Sequence, residues 1–244
     1  MKTATIALHA RNADDSAKVP DFNCLAPFYR WMEWLSFGPF LWKCRCAFLP
    51  EIANKQSALI LGDGDGRFTA RLLHSNPHIT VDAVDASDAM LRQLMRRAQR
   101  NSGRLRTRLA DARRLSLPAA ASFDLVVTHF FLDCLATCDV EILAMKIRSR
   151  LAPGAAWIVS EFAIPENLYG KFFAVPLVSA LYLAFACLTG LSIRRLPNHR
   201  HALRQAGLSL SRERKWLGGL LVSEMWTPSP SPHCSSSTPA PRSK

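Results

Sequence analysis

Three glycines at alternate positions constrain the fold of this chain more than any other part of its sequence. An apolar run, Ala58–Leu61, leads directly into Gly62, Gly64 and Gly66. Residues 67–74 then carry apolar side chains at helical spacing, with arginines and a histidine between them. This order predicts a strand, a tight turn and a helix, the first unit of a doubly wound α/β sheet. Glycine suits the turn because it accepts positive φ and lets a ligand approach the backbone.

A second predicted strand, residues 79–85, supports a ligand site at this turn. It ends in Asp85, which follows Gly62 by about 20 residues, the separation at which a ribose-binding carboxylate occurs in such units. The sequence therefore predicts a site for a nucleoside cofactor, with a purely structural turn as the alternative.

The residue types in the turn discriminate between cofactors. A dinucleotide fingerprint requires glycine where this chain has Arg67, and the Gly-Lys-Ser/Thr of a phosphate-binding loop is absent. Asp63 and Asp65 would also repel a pyrophosphate. The alternating glycines of Gly62–Gly66 resemble motif I of class I S-adenosylmethionine (SAM) methyltransferases, whose cofactor carries a sulfonium cation and no phosphate.

This resemblance implies SAM as the cofactor and gives roles to several residues. Asp85 would accept hydrogen bonds from both ribose hydroxyls, and Ala86 and Met90 would border the adenine. Asp111 and Ala112, after the third predicted strand, would meet the adenine amino group and a ring nitrogen, unless Asp111 is an ordinary turn acid. The implied cofactor-binding residues are Tyr29, Gly62, Asp63, Gly64, Gly66, Asp85, Ala86, Met90, Asp111, Ala112 and Thr128.

The chain departs from the resembled family at one position. The family usually has an acid two residues before the first glycine, and this chain has Ile60 there. The contact of that acid with the amino end of the cofactor must come from elsewhere or be lost.

Several short phrases give a narrower resemblance. Ala26–Tyr29, Ser36–Gly38 and Trp42–Lys43 are similar to features of the ubiquinone- and menaquinone-biosynthesis C-methyltransferases. In those enzymes the N-terminal helices cover the cofactor, a role that would include Tyr29; packing on the sheet edge is the alternative. The phrase Leu-x-Pro-Gly-Ala at 151–155 is also similar, and there it forms the turn that leads into the fifth strand.

The fourth predicted strand begins at Phe123, and motif IV of the resembled family occupies residues 128–133 at its far end. Side chains just beyond the carboxyl end of a strand line the crevice of an open α/β sheet. His129 and Asp133 are therefore the candidate catalytic residues, since an imidazole with a pKa near neutrality suits a general base. The alternatives are a core histidine and an aspartate that caps a turn. Glu161 is predicted at the same carboxyl edge.

The segment Phe172–Ile193 contains no charged residue. Its length admits a transmembrane helix, but polar residues, a proline and a glycine dilute it, and a crossing there would separate the last strands from their sheet. We predict a helical lid, an insertion of about residues 166–198, over a lipophilic acceptor. Residues 172–195 would rest on a membrane without crossing it, because the arginines at the end of this range suit anionic headgroups. Plain core packing is the remaining alternative.

Charge and cysteine content narrow the choice of partners. The formal net charge is +12, and the arginines fall mainly in three runs that suit nucleic acid, anionic lipid or solvated helix faces. Nucleic acid is disfavoured because no RNA-binding motif with interleaved aromatic residues is present. The seven cysteines form no Cys-x-x-Cys array, so no metal site is predicted. The N-terminus does not resemble a signal peptide, which predicts a cytoplasmic protein. The predicted peripheral contact of residues 172–195 would then be with the inner face of a membrane.

Together these features predict one Rossmann-like α/β domain at residues 22–226. It would contain a seven-stranded doubly wound sheet with its last strand antiparallel, N-terminal helices, and a helical lid after the fifth strand. Residues 1–21 are predicted to be a flexible tail, and residues 227–244, rich in proline and serine, a disordered one. The implied function is methyl transfer from SAM to a small or lipophilic acceptor. The alternatives are a catalytically weak membrane-surface adaptor with the same fold and a nicotinamide-dependent dehydrogenase.

Overall fold

A seven-stranded sheet forms the centre of the part of the chain that the structure describes. The structure is a computed structural model, and it describes residues 37–165, 167–168, 170–180 and 196–229. The strands are β1 (Ser57–Leu61), β2 (Thr80–Asp85), β3 (Leu105–Leu109), β4 (Phe123–His129), β5 (Leu151–Phe162), β6 (Leu208–Trp216) and β7 (Leu221–Pro228). The predicted N-terminal tail and Tyr29 lie outside the described residues, as does nearly all of the predicted C-terminal tail.

The order of the strands reverses beside β1, and this reversal creates the crevice in which a ligand site is expected. The order across the sheet is β3-β2-β1-β4-β5-β7-β6. The first five strands along the chain pair in parallel, and β7 runs antiparallel to both β5 and β6. Ligands of such sheets bind outside the carboxyl ends of the strands at the point of reversal. The predicted Rossmann-like sheet with an antiparallel final strand is confirmed.

Helices cover both faces of the sheet because the buried side chains of each central strand alternate. The helices are α1 (Phe40–Arg45), α2 (Arg67–Ser75), α3 (Asp88–Arg97), α4 (Thr137–Arg148) and α5 (His199–Gln205). In β1, Ile60 packs with α2 and α3 on one face, while Leu59 and Leu61 pack with α4 and α5 on the other. Burial on both sides explains why the parallel strands read as nearly continuous apolar runs.

The fifth strand begins inside the phrase that the sequence predicts to be a turn. Leu151 already pairs with Phe123, and the ladder shifts register between Phe123 and Leu125. Gly154 has a φ of +71° within this irregular stretch. The irregularity accommodates Pro153, which has no N–H to donate to a ladder. The predicted turn and the strand are therefore one continuous element, and α4 ends just before it at Arg148.

Part of the predicted lid is described, and it packs against the domain. Gly170–Ala174 forms a π-helix, and residues 175–180 continue as a helix. Ala174 and Val178 are buried in an apolar cluster with side chains of α1 and β7. Residues 181–195, which include most of the uncharged segment, lie outside the described residues. Among the helices that are described, none has the length and apolar character needed to cross a membrane.

A buried charged cluster holds α5 against the sheet. Glu224 of β7 is fully buried and accepts hydrogen bonds from Arg200 at 2.6 Å and from the indole of Trp226 at 2.8 Å. His199 Nε2 lies 3.2 Å from the same carboxylate. Burial acts to raise the pKa of Glu224, but the hydrogen bonds and charges of His199 and Arg200 outweigh it and lower that pKa overall. Glu224 is therefore an ionised anchor between a helix and the sheet.

We expect Glu224→Ala to lower the free energy of unfolding by about 3 kcal/mol, because it leaves buried charge without its partner. Glu213→Ala is the matched control, since Glu213 contacts Arg200 from the surface and such pairs contribute only about 0–1 kcal/mol. Urea unfolding measures both variants.

The effect of Glu224 should also depend on pH. Because folding lowers its pKa, the stabilisation is present above the unfolded carboxyl pKa and disappears as the pH falls through the folded pKa. Equal losses for the two variants at neutral pH would contradict the anchor role of Glu224.

Candidate functional site

Two of the three glycines after β1 are required by close contacts within the protein. Gly62 has a φ of +64°, and a Cβ there would lie 2.2 Å from the ring of Phe131. Gly66 has a φ of +78°, and a Cβ there would lie 2.5 Å from the Cα of Leu94 in α3. A larger residue at either position would push the neighbouring segment away. These contacts explain two glycines by packing, so a contact of Gly62, Gly64 or Gly66 with SAM stays a prediction.

Asp65 serves the structure of the turn. Its carboxylate accepts hydrogen bonds from Arg67 at 3.0 Å and from Arg97 at 2.9 Å. Arg97 also donates to the Asp65 carbonyl oxygen at 2.9 Å. This acid of the turn therefore ties the start of α2 to the end of α3.

Asp63 is buried, and only one of its two carboxylate oxygens accepts a hydrogen bond from the described residues. Its Oδ2 accepts the N–H of Thr69 at 2.8 Å, which caps the first turn of α2. Its Oδ1 is buried and has no hydrogen-bond partner among the described residues. Burial raises the pKa of Asp63 to about 6, against the hydrogen bonds from Thr69 and the charge of Arg45. Asp63 is thus an acceptor with one site open in the interior.

Asp85 ends β2, the strand next to β1, and its side chain is held by the residues that follow it. Its Oδ1 accepts the N–H of Ser87 at 2.8 Å, and Ser87 caps α3 by accepting the N–H of Met90 at 3.3 Å. Burial raises the pKa of Asp85 to about 6, although the hydrogen bond from Ser87 opposes the shift. Ala86 is exposed beside it, whereas Met90 is buried. The geometry fits an acceptor for ribose hydroxyls; this role and the adenine contacts of Ala86 and Met90 stay predictions.

Asp111 is already paired within its own turn. It precedes a single 3₁₀ turn, Ala112–Arg114, accepts the backbone N–H of Arg113 at 3.0 Å, and binds the guanidinium of Arg113 at 2.8 Å. Burial acts to raise the pKa of Asp111, but the bonds and charge of Arg113 lower it overall. The predicted adenine contact of Asp111 and Ala112 would have to share this carboxylate with Arg113, and it stays a prediction.

Thr128 and His129 end β4 with side chains that are both buried. The Thr128 hydroxyl accepts a hydrogen bond from the indole of Trp157 at 3.1 Å, on the face of the sheet that α4 covers. The contact of Thr128 with the cofactor therefore rests on the family resemblance alone and stays a prediction.

His129 lies on the opposite face, between the sheet and α2. Its Nδ1 is 2.9 Å from the hydroxyl of Ser160, and its ring meets Phe68 edge-on at 4.5 Å. Its Nε2 is buried without a hydrogen-bond partner among the described residues. Burial, and then the charge of Arg45, hold the pKa of His129 well below its usual range. The imidazole is therefore neutral at neutral pH, and its role as a base stays a prediction.

Glu161 accepts hydrogen bonds from the backbone of the turn that follows β4. Its Oε1 accepts the N–H groups of Phe131 at 3.2 Å and Leu132 at 2.8 Å, and its Oε2 is buried without a partner in the described part of the chain. These bonds help to hold Phe130 at a φ of +52°, a strained conformation for a residue other than glycine. Burial and the charge of Asp133 raise the pKa of Glu161 well above its usual range. Glu161 and Asp133 are thus both buried, at the carboxyl end of β5 and in the turn after β4.

Arg45, the last residue of α1, is a functional candidate that the sequence did not reveal. It is 4% exposed, and its guanidinium lies 5.3 Å from the centre of the Phe130 ring. Its positive charge acts to lower the pKa of both Asp63 and His129. Nothing local in the sequence separates this arginine from the many surface arginines of the chain.

Aromatic side chains form an apolar wall beside these polar groups. The Phe130 and Phe162 rings lie 5.0 Å apart, and the Phe37 and Phe162 rings lie 5.3 Å apart. They join the cluster that includes Ala174 and Val178. The wall stands at the carboxyl ends of β4 and β5, next to the buried histidine and carboxyl groups.

The sequence of this site matches a known family. Residues 58–154 match the family described as a methyltransferase domain, a range that begins in β1 and ends in β5. Residues 58–154 are a SAM-dependent methyltransferase domain. The match covers the glycine turn, Asp85 and the end of β4. It does not confirm the narrower grouping with the ubiquinone C-methyltransferases. A search of curated protein sequences finds no match to this chain.

Solved methyltransferase structures share the fold. Mitomycin 7-O-methyltransferase MmcR is 16% identical, with a TM-score of 0.61 over 86% of this chain and 61% of its own. An O-methyltransferase family protein from Burkholderia thailandensis is 16% identical, with a TM-score of 0.57 over 86% of this chain and 72% of its own. The N-methyltransferase NodS from Bradyrhizobium japonicum, in complex with S-adenosyl-L-homocysteine, is 15% identical, with a TM-score of 0.56 over 82% and 87%. At these identities the likeness concerns the fold, and this chain spans less than two thirds of MmcR.

We expect Asp85→Ala to weaken SAM binding by about 1–3 kcal/mol, because charge-assisted hydrogen bonds to two hydroxyls are lost. The affinity of the parent should also fall as the pH falls through about 6, since burial raises the pKa of Asp85 and Asp63 to that value and protonation removes their charge. Calorimetric titration on both sides of this pH measures both effects.

The control for this titration is Asp88→Ala, which removes an exposed acid that pairs with Arg92 on α3. It should bind SAM like the parent. Unchanged affinity in Asp85→Ala above pH 6, where the carboxylate is charged, would show that Asp85 does not hold the ribose.

Proposed function

We propose that the protein transfers a methyl group from SAM to a small, lipophilic acceptor. The observation that carries this proposal is a set of incompletely bonded buried polar groups inside a methyltransferase domain. Asp63 Oδ1 and His129 Nε2 are buried without partners among the described residues, and Asp85 ends β2, the strand that pairs with β1. Buried polar atoms are costly unless something satisfies them, and the polar groups of a bound nucleoside cofactor fit this need.

The residues of the chain would orient the reactants. SAM supplies a methyl group that is already activated by its sulfonium, so catalysis consists mainly of holding the acceptor in line with it. Asp85 would hold the ribose, and the aromatic wall of Phe130 and Phe162 would exclude water. A base is needed only where the acceptor must lose a proton. Asp133 and His129 are the proposed bases, and Glu161 would hold the turn that carries Asp133.

The apolar wall supports a lipophilic acceptor. Phe37, Phe130 and Phe162 offer ring surface rather than charge beside the reacting position, and Val178 extends that surface from the lid. The grouping with the quinone-biosynthesis C-methyltransferases is part of the same proposal, supported by the phrase Trp42–Lys43 within α1. So are a domain at residues 22–226 and a cytoplasmic location.

The test of this proposal is transfer of a labelled methyl group from SAM to a panel of apolar phenols, amines and quinols. His129→Gln should lower the rate by about 10²-fold if the imidazole is the base, with the affinity for SAM unchanged. Because the pKa of His129 is held well below its usual range, the acid limb of the parent should lie well below neutrality. Asp133→Asn is measured alongside it.

The outcomes separate the candidates. If the rate of methyl transfer falls only in Asp133→Asn, His129 has a packing role. If the rate falls in neither variant, no base is used. Binding of SAM without transfer to any acceptor would favour the adaptor alternative. A chain that binds no SAM would overturn the proposal.

The proposal includes contact of residues 172–195 with a membrane surface. In the described part of this range, Phe172 is 70% exposed, and Val175 and Leu177 are exposed beside it. A helix that rests on a membrane through apolar burial and arginine–lipid attraction should release partly at high salt.

We expect binding to anionic vesicles that weakens as salt rises and that Phe172→Ser reduces. Ile142→Ser is the matched control, because Ile142 is an exposed apolar residue on α4. Vesicle sedimentation measures both. Release by detergent alone would contradict a surface contact, and absence of binding would leave the segment as a wall of the acceptor pocket.

A further inference from the structure

The position where the resembled family carries its acid offers no charged or polar group to a ligand in this chain. Ile60 is 1% exposed and packs in the core with α2 and α3. The amino-acid end of SAM has an ammonium and a carboxylate group, and both need partners when they leave water. Other residues of the crevice must therefore supply the charges.

Asp63 has the open acceptor that an ammonium group requires. Only about a tenth of this residue is exposed, and Oδ2 is committed to the N–H of Thr69. Oδ1 has no hydrogen-bond partner among the described residues. A buried acceptor left unsatisfied destabilises the protein, and a donor brought by a ligand would remove that cost.

Arg45 has the charge and shape that a carboxylate requires. Its planar guanidinium offers several donors in a fork that matches a carboxylate. It lies against the Phe130 ring, and the ring of the next residue, Phe131, packs on Gly62, the neighbour of Asp63. Asp63 follows the carboxyl end of β1, and Phe130, against which Arg45 lies, follows the carboxyl end of the adjacent β4. A buried acid and a buried guanidinium therefore stand where the strand order reverses.

We propose that Asp63 and Arg45 form the subsite for the amino-acid end of SAM, with Asp63 Oδ1 accepting the ammonium group and the Arg45 guanidinium binding the carboxylate. This inference rests on the proposed function. Asp63 thereby replaces the acid that is missing at Ile60. The charges of Asp63 and Arg45 complement the ammonium and carboxylate groups of the amino-acid end. A ligand that lacks this end therefore gains no affinity from the two residues.

The test uses calorimetry to compare the affinities of the protein for two ligands. S-Adenosylhomocysteine carries the amino-acid end, and 5′-methylthioadenosine has the same adenosine and thioether without it. We expect the parent to bind S-adenosylhomocysteine at least tenfold more tightly. Asp63→Asn and Arg45→Gln should each reduce that preference by tenfold or more, with the affinity for 5′-methylthioadenosine unchanged. Asp63→Asn keeps an oxygen for the N–H of Thr69, so the cap of α2 is retained.

Asp85→Asn is the matched control, because it should weaken both ligands alike and leave the preference intact. A full preference in Asp63→Asn and Arg45→Gln would overturn the inference while leaving SAM binding established. A parent that binds neither ligand would overturn the proposed function instead.

A second comparison needs only the unmodified chain and covers the case in which a variant does not fold. The methyl ester of S-adenosylhomocysteine removes the carboxylate charge and should bind the parent at least tenfold more weakly than the free acid. Equal affinities would show that Arg45 does not serve the carboxylate.

Discussion

The contact between the Gly66 backbone and Leu94 is the constraint on which the site depends. No side chain separates the turn from α3 there, so the two segments touch directly, and the ion pair of Asp65 with Arg97 secures the contact. Since α3 begins three residues after Asp85, the same contact that fixes the helix also fixes the end of β2 relative to the turn. Packing, which tolerates little displacement, therefore fixes the position of the Asp85 carboxylate.

The fold was more predictable than the site because its signals are local. An apolar run followed by glycines and a helical pattern predicted the first unit of the sheet. The roles of individual acids were not local. Asp63 and Asp65 occupy equivalent places between glycines, yet Arg97, which lies 32 residues from Asp65 along the chain, takes only Asp65. Arg45 could not be identified because its burial arises from tertiary contact with Phe130.

Burial also changes what His129 can do. From sequence, an imidazole at the end of a strand suggests titration near neutrality. In the structure the ring lies between Phe68 and Ser160, with the charge of Arg45 nearby, and both burial and that charge disfavour the protonated form. A neutral ring with one unsatisfied nitrogen is a hydrogen-bonding group that needs no change of charge, a property that suits a site around a cationic sulfonium.

The carboxyl groups divide into two kinds, and the division itself marks the site. Glu224 and Asp111 have arginine partners, and their pKa values are lowered despite burial. Asp63, Asp85 and Glu161 have only N–H donors or weaker charge effects, and burial raises their pKa values. The chain has a net charge of +12, so its cationic side chains outnumber its acidic ones. A lack of arginines therefore does not explain the absence of a direct arginine pair at these three described residues. These acids without an arginine pair lie at the carboxyl ends of β1, β2 and β5. A cationic ligand would be bound near them.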